Sequence, residues 1–360
     1  MPKTEVVPDT KMKLSAPLWR LSAWFALMLT VFCLTACGDG TQTMLNPAGP
    51  QAYKLNNLWW FMFFVSSAVF ILVMIALLLS LKKRTDEAPL SATPIVTPSV
   101  EHERKLRNVV IAASTIAIVI LFVFLIVSFS AGRSLTVDLD KKNALTIEIT
   151  GHQWWWEVRY WDVAASNIFT TANEIHIPVG VPVTFKLRST DVIHSFWVPN
   201  LSGKKDLIPG KTATIWLQAD KPGVYRGQCA EYCGLQHAQM ALWIVVDTQD
   251  EFNTWRQKQV QTAMATPTDL ARRGQQVFFS SSCVMCHAIN GTPAGSNVGP
   301  NLTHLAGRSI IAGASLLNTR ENLRQWITNS HVIKPGNKMP ANNLSSDDLE
   351  ALLDYLQNLK

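Results

Sequence analysis

Cys229–Met240, reading CAEYCGLQHAQM, is the stretch on which the rest of this 360-residue chain turns. It brings two thiols, an imidazole and a thioether into one short loop, a donor set that suits copper. Two thiolates are one more than a mononuclear blue-copper site uses. Two sulfurs this close along the chain can bridge two copper ions, with a histidine at each end. His237 is one such histidine. His194, in DVIHSFWVPN (Asp191–Asn200) on an expected β-strand, is the candidate for the other. A Cys229–Cys233 disulfide is the competing reading outside the cytoplasm, but it leaves the His and Met positions without a role.

C-x-E-x-C-x-x-x-H-x-x-M after an upstream V-x-H-S-x-x-V-P resembles the binuclear copper centre of cytochrome c oxidase subunit II. The resemblance implies that Cys229 and Cys233 bridge the coppers. His194, His237, Met240 and the backbone carbonyl of Glu231 would complete the shell. It also implies that the Glu231 side chain, with Asp206 in GKKDLIPG, lies beside a magnesium ion at a subunit interface, where carboxylates and waters suit that ion. GHQWWWEVRY (Gly151–Tyr160) is similar to the family's aromatic stretch, which makes Trp154 the tryptophan through which electrons reach the copper pair. Alternation puts Trp154 and Trp156 on one face and Trp155 on the other, so at least one belongs to the core. His152 is expected to be structural and His176 to be a strand surface residue.

Around this loop, residues 134–250 alternate with period two and are rich in β-branched and aromatic residues. Expected strands are Leu145–Thr150, Trp154–Tyr160, Glu174–Pro178, Val183–Arg188, Thr212–Gln218, Val224–Gln228 and Ala241–Val246. Pro-Gly pairs at 209–210 and 222–223 punctuate them. Many short strands with such turns predict a β-sandwich or barrel, which the resemblance sharpens to a cupredoxin-like domain.

The chain before this domain is apolar. Lys11, Lys13 and Arg20 precede the run LSAWFALMLTVFCLTAC, which has signal-peptide character over 1–36. Its L-T-A-C ending resembles a bacterial lipobox, implying lipidation of Cys37; an uncleaved membrane helix is the alternative. After an extracytoplasmic segment (37–57), a transmembrane hairpin is expected over 58–131. Its uncharged spans, 58–81 and 109–131, are each long enough to cross a bilayer. Lys82-Lys83-Arg84 and Arg104, Lys105, Arg107 flank the connection and place it in the cytoplasm. The copper domain then lies on the outer face of a bacterial cytoplasmic membrane. Neither span carries His or a charge, so oxygen chemistry in the bilayer needs a partner chain. Arg107 stands where many relatives carry a proton-channel glutamate, and no such role is assigned.

Residues 251–267 read as a polar linker with a short helix before Ala263, and 268–360 as an all-α domain. Cys283-Val-Met-Cys286-His287 is the attachment motif of a c-type haem, with the thiols bonded to the vinyl groups and His287 on the iron. GPNL (Gly299–Leu302) and KMP (Lys338–Pro340) make this domain resemble a class I cytochrome c. That resemblance implies Met339 as second axial ligand, with the Pro300 carbonyl orienting His287. His304 and His331 are expected on the surface or in hydrogen bonds. Met285 lies inside the motif and cannot reach the opposite face. The last helix starts at Ser345, with Asp348 three residues on, a capping pattern. Leu349, Leu352, Leu353 and Leu356 give it one apolar face.

The expectation is therefore multidomain: a two-helix transmembrane hairpin, an all-β cupredoxin-like domain and an all-α cytochrome c domain. Function follows from the resemblance as subunit II of a haem-copper oxidase. It would take electrons from a cytochrome c or another donor complex and pass them to subunit I, among other oxidase subunits. An electron-input subunit of a copper-containing nitric oxide reductase is the alternative, as is a non-enzymatic copper-carrying lipoprotein, against which the haem motif speaks. Nitrous oxide reductase shares the copper motif, but its histidine-rich catalytic domain has no counterpart here. A net charge of +6 with no long basic run does not suggest nucleic acid.

Overall fold

The period-two stretch folds into two facing five-stranded sheets because its apolar residues point alternately to one side. The strands are β1 (Leu145–His152), β2 (Trp155–Tyr160), β3 (Phe169–Ala172), β4 (Glu174–Pro178), β5 (Val183–Ser189), β6 (His194–Trp197), β7 (Lys205–Leu207), β8 (Ala213–Leu217), β9 (Gly223–Cys229) and β10 (Ala241–Asp247). One sheet runs β3-β2-β1-β5-β8, the other β4-β10-β9-β6-β7. Ile147, Ile149, Trp156, Val158, Phe185, Leu187, Phe196 and Ile244 fill the space between them. The structure, a computed structural model, describes residues 42–84, 99–136, 145–263 and 268–360. The signal-peptide reading of 1–36 and the Cys37 lipidation lie outside these residues.

Seven of these strands coincide with the expected runs to within a residue or two. β6 is the expected strand that bears His194, and β3 and β7 are additional. They are short edge strands, and β7 carries two charged residues, so neither shows a usable alternation.

Two long helices precede the sandwich: α1 (Pro50–Arg84) and α2 (Val100–Thr136). Both are long and apolar enough to cross a membrane, and each is longer than its uncharged span. Glu101 and Glu103 sit in the first turn of α2, where carboxylates complement the helix dipole. Phe61 meets Phe124 edge-on between the helices, while Phe64, Leu72 and Ile126 point outward and exposed. The start of α1 is stitched to the sandwich. Ala48 N–H donates to Asn200 O, Asp220 N–H donates to Ala48 O, both at 2.7 Å, and the buried Gln51 donates to Trp216 O. The end of α2 is held from the same tryptophan, whose indole N–H donates to Leu135 O.

The segment expected as a linker begins with a well-formed helix, α3 (Gln249–Gln259). Thr248 and Glu251 form a reciprocal capping box that satisfies two orphan N–H groups. Phe252 is buried, and Trp255 stacks on His176 at 4.2 Å and meets Tyr160 and Phe169. α3 is the short helix expected before Ala263; its polar composition hid only how it packs, because just these two aromatics face inward. His176 itself is enclosed rather than a surface residue. It lies beneath Trp255, with Nδ1 2.7 Å from Asp247 and Nε2 3.3 Å from Glu174.

The C-terminal domain is helical: α4 (Asp269–Ser280), α5 (Arg320–Thr328) and α6 (Ser346–Gln357), with a two-strand hairpin β11 (Ile310–Ile311) and β12 (Leu316–Leu317). α4 and α6 cross so closely that a Cβ on Gly274 would lie 1.9 Å from Ala351 O. Ser345 caps α6 as expected, its hydroxyl accepting from Asp348 N–H. Phe278, Leu352, Leu353 and Leu356 form the core between the helices.

Candidate metal centre and haem pocket

The loop between β9 and β10 lies at one end of the sandwich, and β6 delivers His194 to it. Phe196 pairs with Cys229 across β6 and β9, so His194, two residues back, reaches the same end on the same face. Cys229 Sγ is 3.8 Å from Cys233 Sγ, 3.9 Å from His194 Nδ1 and 3.2 Å from the Glu231 carbonyl oxygen. Cys233 Sγ is 3.7 Å from His237 Nδ1 and 3.8 Å from Met240 Sδ. The cysteines are free thiols, both buried, so they are not joined as a disulfide. Among the described residues, His194, Cys229 and Cys233 are the group of metal-ligating side chains whose donor atoms converge, all within 4.8 Å of one another. The hydrogen bond from Cys233 holds Cys229 well below the ordinary thiol range, against the opposing effect of burial. The same contact, with burial, pushes Cys233 up. Two buried sulfurs with two imidazole nitrogens, a thioether and a carbonyl around them fit a soft-metal pair.

Several residues that sequence reasoning did not select complete this arrangement. Asp191 Oδ1 lies 2.8 Å from His194 Nε2. This fixes the tautomer that leaves Nδ1 free for a metal, the common device of a carboxylate behind a ligating histidine. Burial would raise the Asp191 carboxyl, but hydrogen bonds from His194, Gln153 N–H and Val192 N–H overcome it and hold it at about 2. An acid three residues before the histidine, in D-x-x-H, was the available signal. Gln153 and Trp154 form the tip of the β1–β2 hairpin, and both side chains donate to Cys233 O, at 2.8 and 2.9 Å. Trp154 thus precedes the strand, which is why alternation from 154 to 156 does not apply: Trp156 is the core residue, and Trp155 stacks on His152 at 4.4 Å. Gly151 passes directly under His194; a Cβ there would meet the ring at 2.8 Å.

Asp206 and Glu231 are both exposed acids. Asp206 pairs with Ser195 across β6 and β7. The magnesium expectation gains no support from this, because no further convergent group of three or more ligands includes them among the described residues.

In the helical domain, Cys283, Cys286, His287 and Met339 line one cavity of about 230 Å³. His287 Nδ1–H donates to Pro300 O at 2.7 Å, so Nε2 keeps its lone pair free. Burial holds the imidazole below its ordinary pKa, against the Pro300 bond, which keeps it neutral, as an iron ligand must be. Gly299 makes room for that ring: a Cβ would sit 2.8 Å from His287 Cε1. Met339 is held by its neighbours, its N–H donating to Asn337 and its carbonyl accepting from Ser330. Two thiols, a neutral imidazole and a thioether around an apolar cavity fit a covalently attached haem. Met285 is exposed and His331 lies at the surface; His304 is buried and hydrogen-bonded to Gln261 O. The cavity is shared, for His152, Gln153, Trp154 and Trp155 of the sandwich form part of its wall.

Fold and sites together define a membrane-type helical hairpin bearing a cupredoxin-like sandwich and a cytochrome c domain. The periplasmic-domain profile of cytochrome c oxidase subunit II matches residues 161–248, and the cytochrome c profile matches 271–360. The chain is 37% identical over 356 residues to cytochrome c oxidase subunit 2 of Alkalihalophilus pseudofirmus, covering 95% of this chain and 98% of that one. It is 29% identical over 359 residues to the subunit of the same name from Bacillus sp. strain PS3, with the same coverage of each. It also resembles the crystal structure of the periplasmic domain of subunit II of cytochrome oxidase from Bradyrhizobium japonicum, at 33% identity. That match covers 33% of this chain and 94% of the other, with a TM-score of 0.31. The chain belongs to the cytochrome c oxidase subunit 2 family. It is a subunit of a membrane-bound haem-copper oxidase, an oxidoreductase, and its two domains imply copper A and haem c.

Proposed function

We propose that this chain is the electron-input arm of its oxidase. The cytochrome domain accepts electrons from a cytochrome c or another donor complex and hands them to the Cys229–Met240 loop. From there they pass to subunit I, where oxygen is reduced to water. The observation that carries this reading is the shared cavity, whose wall contains Cys283, His287 and Met339 from one domain and Trp154 from the other. When bound, the haem and the copper pair supply two one-electron redox stations.

The chain's own residues hold those stations still. Cys229, Cys233, His194, His237, Met240 and the Glu231 carbonyl would hold the coppers. Asp191 keeps the His194 ring in register, and Trp154 ties the cavity wall to the Cys233 carbonyl. Cys283 and Cys286 would anchor the haem covalently, and His287 and Met339 would hold its iron. A donor shell fixed by such second contacts relaxes little when charge arrives, which suits rapid transfer. The hairpin is read with its connection in the cytoplasm and both metal domains on the outer face, on the strength of the basic clusters that flank the connection.

Metal analysis with electron paramagnetic resonance of the purified subunit tests this. Two coppers per haem, and a seven-line signal from one electron shared by two ions beside a low-spin haem, are expected. A four-line mononuclear signal would overturn the binuclear assignment.

A further inference from the structure

Lys334 is a lysine of the cytochrome domain that is only 2% exposed. Its ammonium donates to three carbonyl oxygens: Trp154 O at 2.8 Å, Gln239 O at 2.9 Å and Ala312 O at 3.1 Å. Three donors and three acceptors satisfy the group completely, which a buried cation requires. Two of those acceptors belong to the copper domain. Trp154 is the residue whose indole reaches Cys233 O, and Gln239 precedes Met240. One side chain of the cytochrome domain therefore grips the candidate copper loop and the hairpin tip that packs on it.

A second feature meets it there. Ala312, Gly313 and Ala314, the turn of the β11–β12 hairpin, all have left-handed backbones (φ 55°, 65° and 59°). Such a conformation is unfavourable for alanine and persists only where surroundings enforce it. The turn is pressed onto the copper domain. Gly313 O accepts from Ala241 N–H at 3.1 Å, and a Cβ on Gly313 would lie 2.8 Å from Lys334 Nζ and 3.0 Å from Trp154 O. Around this centre, Gln236, itself buried, donates to Pro335 O at 2.7 Å, and Ser309 N–H donates to Glu174 at 2.8 Å.

We propose that Lys334 and the left-handed 312–314 turn form a built-in dock that clamps the cytochrome domain onto the Cys229–Met240 loop and encloses Trp154. The donor domain is then fixed in place rather than tethered and searching. A soluble external donor cannot use the Trp154 face and must deliver to the cytochrome domain. Lys334 is a positioning residue in this scheme, acting through the carbonyls it holds. The inference rests on the relay reading above for its function, but not for its geometry.

Hydrogen exchange on the full holo chain in detergent tests the geometry. Burial draws the Lys334 ammonium below the ordinary lysine range, so the measurement is made on the acid side of neutrality. The amides of Ser309 and Ala241, whose acceptors lie across the junction, should be protected in the wild type. Lys334→Met and, independently, Gly313→Val should each speed their exchange by about tenfold or more, leaving α4 and α6 unchanged. In the same variants, flash-initiated electron transfer from haem to copper should slow by about tenfold or more and become dependent on viscosity, with both optical and paramagnetic signatures intact. Exchange of Ser309 at exposed-loop rates in the wild type would overturn the dock, as would unchanged exchange and transfer in Lys334→Met. If neither variant folds, transfer in the wild type decides: viscosity-independent for a dock, viscosity-dependent for a tethered domain. Loss of the metal signatures in the wild type would instead overturn the relay reading and leave the exchange result standing.

Discussion

Replacing Gly151 with alanine should damage the candidate copper site although none of its ligands is replaced. The new Cβ would lie 2.8, 3.0 and 3.3 Å from three atoms of the His194 side chain, whereas carbon atoms in contact settle at roughly 3.5–4.0 Å. Something must therefore retreat by nearly an ångström. The strand cannot, because Gly151 is paired on both sides, with Trp156 in β2 and Ser189 in β5. The His194 ring must move, and its 2.8 Å contact with Asp191 then stretches beyond hydrogen-bonding range. Overpacking costs about 1–3 kcal/mol, and a lost hydrogen bond to a charged group about 1.5–3 kcal/mol. The total is about 2.5–6 kcal/mol of stability, with a copper affinity about 10–100-fold weaker from the disturbed second contact. Urea unfolding and copper titration against a competing chelator would measure both. Gly203→Ala is the control, since its Cβ would meet only Leu55 at 3.6 Å, an ordinary contact. A Gly151→Ala protein with wild-type midpoint and copper affinity would refute the reasoning.

Further outcomes follow from the same coordinates. Asp191→Asn keeps an acceptor for His194 but removes its charge, and should weaken copper binding by about tenfold while leaving the haem spectrum unchanged. Gly274→Ala forces α4 and α6 apart at Ala351, and should lower the haem-domain unfolding midpoint by an amount equivalent to about 1–3 kcal/mol, read from the Soret dichroism. His176 is subject to desolvation, which lowers its pKa, but the hydrogen bonds of Asp247 and Glu174 prevail and raise it above the ordinary value. Its contribution is present in full below about pH 6.5 and is lost as pH rises through the raised value. Thermal midpoints of the wild type should therefore decline relative to His176→Gln across that alkaline side, and parallel curves would contradict the ion-pair account.

Much of this was legible in residue order, for identifiable reasons. Cys229, Cys233, His237 and Met240 are close in sequence, so their meeting needs only a loop. His194 was recoverable because an alternating strand can carry a histidine to that loop. α6 announced itself by a capping serine and a row of leucines. What was hidden depends on long-range pairing. The enclosure of His176 requires Asp247, seventy-one positions away, and an aromatic from a helix whose polar sequence reads as a connector. Lys334 sits in a polar run and would pass for a solvated cation; its burial exists only because two domains meet there. Trp154 looks like a strand residue until the hairpin tip is located one position later than alternation suggests.

The stitching at the foot of α1 has a consequence for assembly. Main-chain bonds at Ala48 run to both Asn200 and Asp220, and Gly49 lies so near Gln218 O that a Cβ would be 2.2 Å away. With Leu135 at the end of α2 tied to Trp216, both helix ends are mortised into the sandwich like the legs of a table into its top. Whatever subunit packs against the helical legs thereby sets the height and tilt of the copper loop, and errors in helix packing would be felt as a change in reach at the far end.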